Sequence, residues 1–363
     1  MIRPPNARKR ANSVLNNKKS LPHLKGPPRP DTGCLPFFHP TRVVFVDDDP
    51  NFLKYFPLGL NANFPISCYA SPRSLLTDIA QGRLETHLQV ECWSSYTGRF
   101  ADPQFEQMLS LDKTMLLMRV FGRHRFNPVS VMVVDYDMPE MDGLDLCRRL
   151  AHLPCRKILL TGQASEAHAV AAFNEDLIDF FLPKGARNCT NLLRERIARY
   201  QRDFIADASR LVRQALRAET LVDWDDPGFC DLFAHLCEDL DIIEYYVIAD
   251  PLDGFMLVDE HGRGRLLLTF SAAALAAQTT MARIAGAPPT VVERLERRQA
   301  ATFFAQEEGE AVLDAQAWRL ACVPVQPFAT RPDRYYALLE APAPFDVSPS
   351  TVLGLRAYLQ GQA

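Results

Sequence analysis

Nowhere does this chain carry a run of the roughly 18 apolar residues that a membrane-spanning helix needs, and its N-terminus lacks the apolar core of a secretion signal. A cytoplasmic protein is therefore expected. No Cys-x-x-Cys pair occurs either: the nine cysteines, an odd number scattered from Cys34 to Cys322, build neither a disulfide framework nor a zinc site. Reduced thiols fit best. His235, His261, Cys230 and Cys237 lack metal-ligand spacing and read as core or surface residues. Excess charge of one sign is missing too, with 40 Lys and Arg against 44 Asp and Glu for a formal charge of −4. That balance excludes a globally basic nucleic-acid coat and an acidic disordered tail, so any basic surface is local.

What is present is length and apolar content. The 363 residues, 47% hydrophobic, suffice for two or three domains at roughly 100–200 residues each. Residues 1–40 hold eight Lys or Arg, eight prolines and one acid, and are expected to be a flexible basic tail. From residue 41 the texture becomes short apolar runs, Val43 to Val46, Pro65 to Tyr69, Val131 to Val134, Lys157 to Thr161 and Phe180 to Leu182, which read as strands buried on both faces. Helical patterns alternate with them at Pro72 to Gln81, Leu144 to His152 and Ser165 to Phe173. That order predicts an α/β, doubly wound parallel sheet over 41–187.

One interval, about 82–127, is far too long for a compact connection and is read as an insertion. Its second half, Pro103 to Phe121, places Phe105, Met108, Leu109, Met115, Leu116 and Val120 at helix-compatible spacings, suited to covering the domain or meeting a partner. Over 188–240 an amphipathic linker helix is expected from Asn188 to Ala218, with Leu193, Ile197, Tyr200, Phe204, Ala208, Leu211 and Ala215 on its apolar face, then a short helix. It either packs on the sheet or forms a two-helix contact between subunits. The remainder, 241–363, reads as an α+β domain. Its strands are Ile243 to Ala249, Phe255 to Asp259, Arg265 to Phe270, Ala301 to Ala305, Trp318 to Val325 and Tyr335 to Leu339, with helices near Ser271 to Ala285, Thr290 to Gln299 and from about Ser350.

The first strand delivers Asp47, Asp48 and Asp49 at its carboxyl end, and the strand Val131 to Val134 delivers Asp135 and then Asp137. In an open parallel sheet these ends face the ligand crevice. Carboxylates crowded there repel one another unless a divalent cation sits among them, and oxygen-ligated Mg²⁺ is the natural occupant. Thr161 ends the fourth run and Lys184 follows the fifth, bringing a hydroxyl and an ammonium to the same rim, where an anion would bind.

Four segments in this order resemble the receiver domain of two-component response regulators: Val-Asp-Asp-Asp-Pro at Val46 to Pro50, Val-Asp-Tyr-Asp-Met-Pro-Glu-Met-Asp-Gly at Val134 to Gly143, Leu-Leu-Thr-Gly at Leu159 to Gly162, and Phe-Phe-Leu-Pro-Lys at Phe180 to Lys184. The resemblance implies that Asp135 is the phospho-acceptor. It implies that Asp48 and the backbone carbonyl of Asp137 bind Mg²⁺ directly, with Asp47 helping through water, and that Thr161 and Lys184 hydrogen-bond the phosphoryl oxygens. Thr161 and Phe181 would act as the switch pair. It further implies a sensor histidine kinase or phosphotransfer protein as donor and a homodimeric regulator. The lysine of this family is usually followed by proline; here Gly185 stands in that place, and a looser turn beyond Lys184 is expected. The enlarged receiver, together with the Ile-Glu-Tyr-Tyr segment at Ile243 to Tyr246, resembles the regulators of α-hydroxyketone quorum sensing typified by Legionella.

No cyclic-dinucleotide signature (Gly-Gly-Asp-Glu-Phe or Glu-Ala-Leu), His-Asp metal pair or kinase glycine loop is found, so a non-enzymatic output half is expected. Two alternatives remain. Met281 to Arg298 can be read as a helix-turn-helix with a recognition helix from Thr290 and with Arg294, Arg297 and Arg298 on DNA, although Glu293 and Glu296 would face phosphates unfavourably. The hairpin at Gly254 to Leu268 resembles the opening of a PAS-type sensor or scaffold.

Overall fold

The computed structural model describes residues 34–60, 63–95, 109–162, 172–219, 226–248, 253–304, 314–340 and 345–361. The described chain opens in a strand, β1 (Phe37–Phe38), and passes into β2 (Arg42–Val46), α1 (Pro50–Gly59), β3 (Ile66–Tyr69) and α2 (Pro72–Ala80). A two-stranded excursion, β4 (Trp93–Ser95) paired with β5 (Leu109–Leu111), leads into α3 (Lys113–Met118). Then follow β6 (Val129–Asp135), α4 (Gly143–Arg149), β7 (Arg156–Thr161) and β8 (Phe180–Pro183).

The helices start where side chains can satisfy orphan backbone N–H groups. Ser71 and Asp142 accept from the third N–H of α2 and α4, and proline opens both α1 and α2. Strands β3-β2-β6-β7-β8 form a parallel five-stranded sheet, as the apolar runs predict. Period-two alternation divides its core. Val44, Val46, Met132, Val134 and Leu159 meet Leu75 and Leu146 on one face; Val43, Phe45, Val131, Val133 and Leu160 meet Leu60, Leu193 and Ile197 on the other. The helix predicted over Ser165 to Phe173 falls largely on 163–171, outside the described residues.

The second half contains α5 (Cys189–Ala208), α6 (Arg210–Glu219), α7 (Pro227–Asp239), β9 (Ile242–Val247), β10 (Gly254–Asp259) and β11 (Gly264–Ser271). After these come α8 (Ala272–Ile284), α9 (Pro289–Glu296), β12 (Ala300–Thr302), α10 (Ala315–Ala321), β13 (Cys322–Pro324), β14 (Gln326–Pro327), β15 (Arg334–Glu340) and α11 (Leu355–Gln360). Its main sheet, β1-β9-β10-β11-β15-β14, is antiparallel at every pairing.

Several expectations change. Residues 34–40, placed with the tail, are built in: Phe37 lies opposite Tyr246 on the edge of the second sheet, and Cys34, Leu35, Phe37 and His39 are buried. A two-residue strand is too short to announce itself in sequence, yet its apolar side chains find a ready-made edge. Residues 1–33 lie outside the described residues. In the insertion, the described part of the helix-compatible stretch holds β5, α3 and a 3₁₀ turn at Arg119–Phe121, because Asp112 caps a helix by accepting from the Thr114 N–H. Residues 96–108, including Phe105 and Met108, are outside the described residues. Leu116, Leu117 and Val120 enter the core of the second sheet, while Met115 is exposed.

The linker helix breaks at Ser209, whose hydroxyl donates to the Ile205 carbonyl. The buried face shifts by one residue, from the expected Ala208, Leu211 and Ala215 to Ser209, Val212 and Leu216. Leu193, Ile197 and Tyr200 of α5 pack on the parallel sheet, and its Phe204 and Ile205 pack in the other core. Trp318, expected in a strand, sits in α10 because Asp314 caps a helix there. At the proposed helix-turn-helix, Arg283 pairs with Glu296 across α8 and α9, Arg297 with Glu293 at 2.7 Å, and Arg298 donates to the Tyr335 hydroxyl.

Between the two sheets lies a buried polar network. Arg125, at the end of the insertion, donates to both oxygens of Glu244 at 2.6 and 2.8 Å, and the Tyr246 hydroxyl donates to the same carboxylate at 2.8 Å. Both charged side chains are almost wholly buried, at 2% and 0% exposure. Arg125 also donates to the Gly122 and Leu353 carbonyls, so its charge is satisfied rather than stranded.

Candidate metal and phosphoryl-acceptor site

Strand order decides where the acids meet. The sheet runs outward in both directions from the β2–β6 pair, and helices leave these two strands on opposite faces, opening a crevice at their carboxyl ends. Asp47 is the first residue beyond β2, and Asp135 is the last of β6. Oxygens of Asp47, Asp48 and Asp135 lie within 4.8 Å of one another.

Lys184, just past β8, reaches back over the rim: its Nζ lies 2.6 Å from Asp47 Oδ2 and 3.1 Å from Asp135 Oδ1. Phe52 of α1 places its ring 4.5 Å from the same ammonium, a cation–π contact that steadies it. The Lys184 N–H donates to the Thr161 carbonyl at 2.7 Å, tying the ends of β7 and β8. Thr161 is buried there, one strand over from Asp135, and Phe181 is half-buried against the α2 and α4 side of the sheet. Asp137 is exposed two residues beyond Asp135 and contributes no carboxylate to the cluster; its expected part is through its backbone carbonyl.

Asp49, third of the acid run, is not a ligand. Its carboxylate accepts from the Asn51 N–H and caps α1. The pair Asp49-Pro50 is a readable helix start, and the sequence reading passed over it. Gly143 also has a role that sequence did not show. A Cβ there would stand 2.2 Å from the Asp135 carbonyl oxygen, so only glycine lets α4 close on the strand that carries Asp135. Gly185, by contrast, faces open space, and the turn beyond Lys184 is closed by Ala186 N–H to Pro183 carbonyl at 3.0 Å.

Electrostatically the site is short of positive charge. Burial, reinforced by the Asp47 carboxylate, pushes the Asp135 carboxyl up to about 6 despite Lys184. For Lys184 burial works the other way, yet its hydrogen bond to Asp47 and the charges of both acids hold the ammonium above its ordinary value. Asp135 Oδ1 is buried without a hydrogen bond; the ammonium 3.1 Å away neutralises it but lacks bonding geometry. Three converging carboxylates, one of them with an orphaned oxygen, are the donor set of a hard divalent cation, and Mg²⁺ fits it.

Residues 100–192 match the response regulator receiver domain, a match that starts inside the insertion separating β2 and Asp47 from β6. A 77-residue stretch, 19% of the chain, is 39% identical to the cyclic di-GMP phosphodiesterase response regulator RpfG of Xanthomonas campestris pv. campestris (strain 8004). The chain spans only a fifth of that relative's length. Over 90% of its length the chain is similar to the solved structure of the Legionella pneumophila response regulator LqsR, covering 96% of that chain at 27% identity with a TM-score of 0.69. Among the described residues no helix is long and apolar enough to cross a membrane.

Proposed function

This chain carries a two-component response regulator receiver domain, and from that premise we propose that it is switched by phosphorylation of Asp135 and works through a non-enzymatic second half in quorum-sensing signalling. The observation that carries the reading is the joining of Asp47, Asp48, Asp135 and Lys184 in one crevice. The likeness to LqsR supports a shared architecture in which the insertion and second sheet belong with the receiver.

An Asp135 carboxylate oxygen attacks the phosphorus of a phosphohistidine in a sensor kinase or phosphotransfer protein. The P–N bond breaks, the imidazole leaves with the electron pair, and an acyl phosphate forms. Lys184, already spanning Asp47 and Asp135, is placed to donate to a phosphoryl oxygen, and Thr161 ends the adjacent strand. Mg²⁺ held by Asp48, Asp135 and the Asp137 carbonyl, with Asp47 beside it, would neutralise charge on the phosphoryl group. Absence of known output signatures from the sequence, and the burial of the second half against the insertion, support a partner-docking output.

The test is the full-length protein with Mg²⁺ and beryllofluoride or acetyl phosphate, followed by tryptophan fluorescence and by light scattering. A change in fluorescence or mass that disappears in Asp135→Asn is expected. An unchanged wild type, or an equal response in Asp135→Asn, removes phospho-switching.

A further inference from the structure

We propose that the insertion forms a binding site for a phosphate-bearing small molecule of nucleotide size, separate from the Asp135 crevice. A cavity of about 620 Å³ opens between its first segment, around His87, and the stretch from Arg119 to Pro128 that feeds β6. That volume lies within the range of small-molecule sites and is far larger than a lone phosphate fills.

Its charge is lopsided. Arg119, Arg123 and the imidazoles of His87 and His124 line it, and the one lining carboxylate is Glu85. Arg125 lines it too, but is already neutralised by Glu244. Neither Arg119 nor Arg123 has a carboxylate within ion-pair distance among the described residues.

Arg119 is the telling group. It is held in place by donating to the Gln89 carbonyl at 2.9 Å and by stacking 4.6 Å above the Phe37 ring. Its Nε is buried with no acceptor. Burial also weakens its hold on the proton, against smaller opposing effects of Tyr246, Cys92 and Glu91. A desolvated guanidinium with no carboxylate beside it is costly unless an anion completes it, and phosphate oxygens match its planar fork. Leu84 and Leu88 add an apolar floor suited to an organic moiety rather than an inorganic ion.

The walls are fixed before any ligand arrives. Val129, first residue of the acceptor strand, donates its N–H to the Glu85 carbonyl at 2.7 Å, and Arg125 ties the other wall to the second sheet. A ligand here would thus touch the segment that joins both halves.

Isothermal titration of the full-length chain with ATP, GTP and pyrophosphate, without Mg²⁺ and at about 150 mM salt, tests this. At least one nucleotide is expected to bind with Kd below about 100 μM, and more tightly than pyrophosphate. Arg123→Glu and Arg119→Gln are expected to weaken it at least about tenfold. Asp135→Asn is expected to leave it unchanged, which separates this site from the acceptor crevice. If Arg119→Gln fails to fold, the exposed Arg123→Glu decides. No binding up to millimolar nucleotide, equal binding by Arg123→Glu, loss in Asp135→Asn, or preferential binding of a poly-glutamate peptide would each overturn the proposal.

Discussion

The two sheets of this protein are put together in opposite ways. Each strand of the parallel sheet is a local apolar run, and Asp47, Asp48, Asp135, Thr161 and Lys184 each lie at or just past the end of such a run. The antiparallel sheet draws its edge strand from ahead of the receiver, at Phe37–Phe38, and its covering residues from the insertion and α5. A sheet buried on both faces is written in contiguous sequence, whereas one completed by distant segments depends on contacts that no local window contains. The second half is therefore not a separate appendage: the receiver is threaded into it.

The largest expected effect comes from cutting the link between them. Glu244→Gln leaves the buried Arg125 guanidinium uncompensated and is expected to cost about 3–5 kcal/mol, read as a lower urea midpoint for the whole chain. Replacing Arg125 and Glu244 together with leucine is expected to recover most of that loss. If Glu244→Gln instead separates two transitions, one unchanged, the sheets are independent units.

Next in size is Asp135. Its folded carboxyl titrates near 6, above its ordinary value of 3.8, so its contribution to stability is fully present below about pH 4 and is lost as pH rises through 6. Asp135→Asn is accordingly expected to stabilise the protein at pH 8 relative to pH 4, by at most about 3 kcal/mol, in thermal melts without metal. Adding Mg²⁺ is expected to stabilise wild type more than the variant, narrowing the gap. The same titration is expected to make labelling by acetyl phosphate fall as pH drops below 6. A pH-independent difference between the two proteins would contradict the crowding of charge described here.

Gly143→Ala sharpens the comparison from inside the receiver. The added methyl must displace α4 from the end of β6, at about 1–3 kcal/mol, with slower phosphorylation measured by acetyl phosphate labelling. Smallest is Gly185→Ala, within about 0.5 kcal/mol, because nothing stands near the new methyl. A large effect there would show that the missing proline matters to the placement of Lys184.

Legibility followed the same division. Asp47, Asp48, Asp135, Thr161 and Lys184 could be assembled from the sequence because a parallel sheet aligns strand ends, and a strand end is where an apolar run stops. α1 was equally readable from Asp49 and Pro50 and was missed. The insertion was recognised by its length, but its split into β5 and α3 turned on the Asp112 cap, and its destination turned on a core built by residues far along the chain. Ile243 to Tyr246 stood out as a segment without disclosing that Glu244 points inward, since a lone acid in an apolar strand has no visible partner in sequence.

By itself, the sequence determined the parallel sheet, its order of functional ends and the excess of carboxylate over ammonium in the crevice, because these follow from local patterning and strand direction. Only the tertiary structure decided that residues 34–40 belong to the second sheet, that α5 serves two cores, and that Arg125 meets Glu244. Those outcomes rest on burial shared between segments remote in the chain, and burial of that kind is a property of the packed molecule.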